Sequence, residues 1–387
     1  MLNRRFLRVK AMQAVYSYRQ SVQSNYFMTL EQLEKSFEPN ILAEVQPDPK
    51  ELKENIAIAK KLFNESYSQR QLKEKPSEEV TEKVMAAIDA YHLATNKDFS
   101  KVKKQMLEDT QVIVQHFFNI LKFLTDLGTF IDKLKTKATQ NRVKIAVASE
   151  FNLSENNVLM KLRESSVFQS NTAKYAEDWL GDDSILKTIY KEKIAEDEKY
   201  KEYTSSANTS FEEDQDILKH IVKKILLKNK YFLSHFEDLD VRWEENEEVV
   251  SILLNKTLKS VSEDEEVTFY SLSQNWEDDQ NYFVKLYEET AKGNEQIQKK
   301  IKLRLKNWDD DRVAMIDHII MEMALIEMKE FKSIPVKVSI NEFIELAKKY
   351  STPKSKVFIN GILDTVSKEL MKEGIIKKSG RGLIDNK

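Results

Sequence analysis

Cysteine is absent from the 387 residues, which excludes disulfides and thiolate metal sites. Glycine and proline are nearly absent: there are seven and six, against average usage of about 7% and 5%. Three prolines (Pro39, Pro47, Pro49) crowd into one stretch, and none lies between Pro76 and Pro335. So few turn-formers among long Leu/Lys/Glu/Ile runs predict an all-α fold. No apolar run approaches the ~18 residues that suggest a membrane span, and no signal-like apolar region follows the first arginines. A soluble, cytoplasmic protein is expected, without a membrane partner. Charged residues make up 32% and mean hydropathy is -0.55, yet an apolar content of 41% can furnish a core.

Signs of catalysis are scarce too. The glycines stand singly at 128, 181, 293, 361, 374, 380 and 382, so no Gly-rich phosphate loop exists. His92, His116, His220, His235 and His318 are scattered, without a His-x-x-x-His or His-Glu-x-x-His pair, so no metal or other cofactor is expected. No nucleophile-turn motif is present. The chain is expected not to be an enzyme.

What is there begins at the start, "MLNRRFLRVKAMQAVYSY". Arg4, Arg5, Arg8, Lys10 and Arg19 precede the first acidic residue, Glu31, in a chain of net charge -3. On a helix Arg4 and Arg8 are i, i+4 neighbours with Arg5 beside them, so three guanidiniums share one side. Such forks suit phosphate oxygens and stack on bases. The alternative is a face paired with acids from elsewhere in the chain.

This first helix is expected to run to about Ser24, followed by the Pro-punctuated connection 37–50. Charged helices are expected at 51–68 and 77–95, and a buried central helix at 112–134, "VIVQHFFNILKFLTDLGTFIDKL". Residues 136–170 are ambiguous, and a flexible linker is expected near 204–210. Helices at about 213–234, 246–260, 280–292, 294–306, 309–328 and 353–372 complete the pattern. Residues 241–254 and 306–319 share a Trp, an acidic turn and an apolar stripe, which is either a faint repeat or helix-start electrostatics alone.

The stretch "SIPVKVSINEFIELAKKYSTPKSKVFINGILDTVSKEL" is the most informative. Ser339 and Glu342 read as a capping box, with Ile340, Phe343, Ile344 and Ala347 as the buried stripe behind it. Thr352 and Pro353 read as the cap and first position of a further helix, buried through Ile359, Ile362, Leu363, Val366 and Leu370. Phe358 lies about 100° from that stripe and Gly361 nearly opposite it. Either something else approaches this surface or Phe358 packs on another helix.

Four motifs stand together: "RRFLRVKAMQAVY", "ALIEM", "IPVKVSINEFIELAK" and "SKVFINGILD". With them, residues 1–24 and 280–373 resemble the NusB family of bacterial transcription antitermination factors. The resemblance implies two small helical bundles built from 1–24 and 280–387, the latter with a basic tail, and a large helical insertion at 25–279. It implies binding of boxA-type single-stranded RNA together with NusE, a small ribosomal subunit protein. The setting would be the transcription elongation complex on ribosomal RNA operons. Carried over, the RNA-facing positions are Arg4, Arg5 and Arg8, with Tyr16 and Phe358 nearby. Asp317 coincides with an acidic position that contacts NusE. On the helical wheel Asp317 sits about 100° from the stripe Val313, Ile316, Ile320, Met323 and Ala324, with His318 opposite it, so both are expected to face solvent.

A second class of function is a helical interaction scaffold that keeps this fold without RNA recognition. RNA methyltransferases with a NusB-like domain are a third, and the lack of a Gly-rich cofactor loop excludes them.

Overall fold

The computed structural model describes residues 4–39, 48–72, 74–140, 153–206, 208–273, 275–305 and 314–386. Among them the regular structure is helical, without strands. In chain order the helices are α1 (Arg4–Lys35), α2 (Pro49–Ser66), α3 (Glu78–Gln140), α4 (Asn157–Glu164) and α5 (Ser166–Tyr175). Then come α6 (Ser184–Ile189), α7 (Glu198–Ser205), α8 (Phe211–His220), α9 (Lys230–Leu239) and α10 (Trp243–Ser260). The last are α11 (Trp276–Lys292), α12 (Glu295–Leu305), α13 (Met315–Glu330), α14 (Val336–Tyr350) and α15 (Ser355–Lys372). The chain divides into a terminal unit, Asn3–Leu107 with Glu277–Lys387, and a central unit, Glu108–Trp276.

In the terminal unit, α13 is the hub. Ile319 to Met328 are buried without a break, the carboxylates Glu322 and Glu327 among them. It packs on α1, α12, α14 and α15. The N-terminal half of α1 buries Leu7, Ala11, Met12 and Val15. Its C-terminal half continues past Ser24 to Lys35, because no proline interrupts it before Pro39. There Leu33 joins Phe37, Leu62, Phe63, Val84 and Ile88 in a core shared with α2 and the start of α3. Tyr67 stacks on Phe63 and meets the edge of Tyr91. Pro49 opens α2 behind the Asp48 cap, where a missing N–H costs nothing. The helices expected at 77–95 and 112–134 are one helix, α3, since glycine is absent from it until Gly128 and proline throughout.

The first turns of the C-terminal helices differ from their sequence signals. α14 starts at Val336, so Ser339 and Glu342 lie inside it and make no capping box. α15 starts at Ser355 rather than at Pro353, and the Thr352 hydroxyl meets that of Ser355 at 2.8 Å. Its buried stripe is as expected: Ile359, Ile362, Leu363, Val366 and Leu370. Gly374 closes α15 with φ +70°, a conformation that strains any side chain. The tail then turns back on the end of α13. Lys378 donates to the Phe331 carbonyl (3.1 Å), and the Ser379 amide to that of Lys332 (3.1 Å). A Cβ on Gly382 would collide with the Lys332 carbonyl oxygen, so this close return requires glycine.

In the central unit, Arg163 of α4 donates to the Thr125 carbonyl (2.6 Å), filling the space where a side chain on Gly128 would stand. The expected linker near 204–210 is held at both ends. Ser210 and Glu213 form a capping box on α8, and Thr209 donates to buried Asp214 (2.7 Å). The helix expected over 213–234 is broken into α8, a π-helical turn at Ile221–Ile225, a 3₁₀ turn at Leu226–Lys228, and α9 capped by Asn229. Residues 141–152 of the ambiguous 136–170 stretch and 306–313 of the faint repeat lie outside the described residues, and most of the rest of the former is helical, in α3, α4 and α5.

Two outcomes follow from this packing. Phe63→Ala should lower unfolding free energy by about 3–5 kcal/mol in denaturant titration, the usual cost of truncating a buried phenylalanine. Exposed Phe27→Ala should change it by less than about 0.5 kcal/mol. Burial also lowers the Lys378 pKa to about 8, despite the opposing charge of Glu327. The unfolded chain keeps that proton to about pH 10.4, so stability gains from this group as pH rises through that window. Lys378→Met should remove the gain, measured as the difference in denaturation midpoints at pH 7.5 and 10.

Candidate nucleic-acid interface

The N-terminal arginines meet acids brought from the far end of the chain. Arg8 is buried and forms a two-pronged ion pair with fully buried Glu327, Nε–Oε2 2.7 Å and Nη2–Oε1 2.9 Å. The same carboxylate accepts from Ser339 Oγ (2.7 Å) and from the Tyr282 hydroxyl. Burial alone would lower the Arg8 pKa, but Glu327 and its neighbours more than reverse this and raise it. Burial, then the charge of Glu327, drives the Tyr282 hydroxyl well above its ordinary value. Arg8 is therefore an internal cation and not an RNA contact, which corrects the expectation from its helical face. Acids absent from the first 30 residues do not mean acids absent in space.

Arg5 pairs with Glu342 through two contacts of 2.9 Å and keeps 46% of its side chain exposed. That bond holds the Glu342 carboxyl below its usual range, despite burial. Arg4 pairs with Asp278 (2.7 Å) and Asp279 (3.3 Å) and lies over the Tyr282 ring. Arg19 pairs with Glu322. Of the arginines named from the sequence, only Arg4 and Arg5 keep a substantial outward surface.

Asp317 is also turned inward. It is 5% exposed and accepts from Ser355 Oγ (2.7 Å) and from the Ser351 hydroxyl. The wheel reading failed because α13 is enclosed on several sides, not one. His318 is half-buried. Asp317 thus ties α13 to the junction between α14 and α15 instead of standing in solvent.

The outward face of α15 is different. Lys354, Lys356, Val357, Asn360 and Gly361 are exposed, and Phe358 is half-buried among them. A Cβ at Gly361 would meet nothing within 4 Å, so packing does not demand glycine there. Tyr16 on α1 is 41% exposed. The two lysines were missed by sequence reasoning, although "PKSK" at a helix start was visible. Among the described residues no cluster of His, Asp or Glu is arranged to hold a metal ion. No described helix is long and apolar enough to cross a membrane.

Residues 242–368 match the family model of the NusB family. Over 111 residues the chain is 41% identical to the transcription antitermination protein NusB of Clostridium botulinum (strain Kyoto / Type A2), covering 28% of this chain and 78% of that protein. The chain belongs to the NusB family. It is also 42% identical over 99 residues to the protein of the same name from Salinibacter ruber (strain DSM 13855 / M31), 26% of this chain and 62% of that one. It is 42% identical over 105 residues to the one from Chloroherpeton thalassium (strain ATCC 35110 / GB-78), 27% of this chain and 50% of that one. The chain thus spans between half and two thirds of these last two NusB proteins. No solved structure matches it. The family match begins at Arg242, ahead of residue 280, and so takes in α10.

Removing one partner of a buried ion pair strands the other. Arg8→Ala should therefore cost about 3–5 kcal/mol of stability, whereas half-exposed Arg5→Ala should cost less than about 1 kcal/mol. Parallel urea titrations at pH 7 check both. Because the Glu342 pKa is depressed in the fold, its contribution is present above the ordinary carboxylate range and lost on acidification. Arg5→Ala should therefore match the parent more closely at pH 3 than at pH 7.

Proposed function

We propose that this chain is a non-enzymatic, RNA-binding transcription antitermination factor. It takes boxA-type single-stranded RNA together with NusE, within the elongation complex on ribosomal RNA operons. The NusB-like body is α1 with the stretch from Arg242 on, so the addition to it is shorter than the 25–279 expected from the sequence. The observation that carries this reading is the outward face of α15, where two exposed lysines at the helix start precede a half-buried phenylalanine and an unhindered glycine. Lysine ammoniums attract phosphates as point charges, and an aromatic ring gives a base a stacking platform. Arg4, Arg5 and Tyr16 are further RNA contacts on α1. Asp317 influences NusE only through the junction it anchors.

One observation favours the scaffold alternative: every N-terminal arginine already has a carboxylate partner. The two readings separate on one measurement, the affinity for a boxA-type RNA oligonucleotide with and without NusE across a salt series. For the RNA reading, Lys354→Glu with Lys356→Glu should weaken binding and flatten log Kd against log salt by about 0.7 per lost phosphate contact. Phe358→Ala should cost about 1–3 kcal/mol of binding. NusE binding with no RNA affinity in the parent would select the scaffold.

A further inference from the structure

The central unit has a basic cleft of about 680 Å³ that no part of the proposal above uses. It lies between the π-helical turn Tyr190–Ile194 and the segment from the second π-helical turn, Ile221–Ile225, to the start of α9. Its volume falls in the range of ligand-sized pockets, roughly 300–1,000 Å³.

Its charge is predominantly positive. Some lysines of the unit are paired with carboxylates, Lys122 with Asp126, Lys219 with Asp216, Lys201 with Glu196 and Glu198. At the cleft Lys193, Lys224, Lys228 and Lys230 are all exposed. Among the described residues none forms an ion pair or a side-chain hydrogen bond. The segment 221–231, "IVKKILLKNKY", carries four lysines and no acid. Of the two carboxylates lining the cleft, Asp197 is already committed to His220 (2.9 and 3.0 Å) and to the Tyr200 amide, which leaves Glu192. Tyr231 stands beside the lysines with 49% of its surface exposed.

The backbone is specialised at the same place. Both walls depart from the α-helix into π turns, closed by Ala195 N to Tyr190 O (2.8 Å) and by Leu226 N to Ile221 O. π turns inside helices are rare and concentrate at functional sites. Here the widened turn and the tight 3₁₀ turn after it bury Ile221, Val222, Ile225, Leu226 and Leu227 while leaving Lys223, Lys224 and Lys228 outside. An irregular backbone thus presents cations on one side of an apolar anchor.

We propose that this cleft is a second binding site for single-stranded RNA, with Lys193, Lys224, Lys228 and Lys230 on the phosphates and a base stacked on Tyr231. The exposed tyrosine favours RNA over an acidic polypeptide, because every base offers a face to stack on. The site needs no residue of α1 or α15, so it stands or falls separately from the surface proposed above.

The test uses the full chain and a uridine-rich single-stranded RNA carrying 4-thiouridine, with cross-linked peptides mapped by mass spectrometry. Cross-links are expected within residues 187–231, and the Lys354→Glu/Lys356→Glu variant should keep them. Lys224→Glu/Lys228→Glu/Lys230→Glu should abolish them and flatten the salt slope by about 2, from three contacts at about 0.7 each. Tyr231→Ala should weaken RNA binding about five-fold or more, the equivalent of ~1 kcal/mol. These residues are exposed, and an unchanged thermal melt verifies that the variants fold. Cross-links confined to other peptides, or parental RNA affinity in both the lysine and Tyr231 variants, would overturn the proposal. So would a lysine-dependent loss matched by equal competition from polyglutamate and no effect of Tyr231→Ala, which would mark an acidic-polypeptide surface.

Discussion

The terminal unit depends on one buried carboxylate. Glu327 is fully enclosed and accepts from Arg8, Tyr282 and Ser339, which come from α1, α11 and α14. A lone ionised carboxylate there would be prohibitively costly, and the guanidinium and two hydroxyls offset its desolvation. The arrangement also specifies geometry. The Arg8 fork fixes where α1 crosses α13, and the Ser339 hydroxyl fixes the facing turn of α14. An aliphatic core could slide along α13, whereas these directed bonds have a single register.

The helical class and much of the element pattern were legible because glycine and proline are so scarce. The buried stripe of α15 was legible because its period is that of a simple amphipathic helix. Polar residues were harder. Arg8, Asp317, Ser339 and Glu342 all look like surface or capping residues when only chain neighbours are considered. Their partners lie tens to hundreds of residues away, and helical periodicity carries no information about such pairings. The wheel for α13 misplaced Asp317 for a related reason: a hub helix has no single solvent side. Local strength misled as well, since a stretch rich in helix formers at 213–234 yields to the burial of adjacent apolar pairs and breaks.

Two groups of basic residues stand out in this chain. One is engaged by carboxylates and buried or partly buried, as Arg8 and Arg19 are. The other is exposed, at the start of α15 and around the cleft of the central unit. The second group can trade its solvent counterions for phosphates at little cost to stability, whereas half-exposed Arg5 must exchange its carboxylate partner to do so. Charge density along the sequence does not separate the two, since the richest local run of arginines belongs mostly to the first.

The bond between Arg8 and Glu327 joins residues 319 positions apart. At about 5–20 residues per second of synthesis, α1 leaves the ribosome many seconds before α13 exists to receive it. Through that interval Arg8 and the apolar side chains beside it must wait, solvated or held by a chaperone, and the long closure slows folding further. The terminal unit is therefore completed late, and the nascent chain passes through a stage in which its most cationic helix is the part without a home.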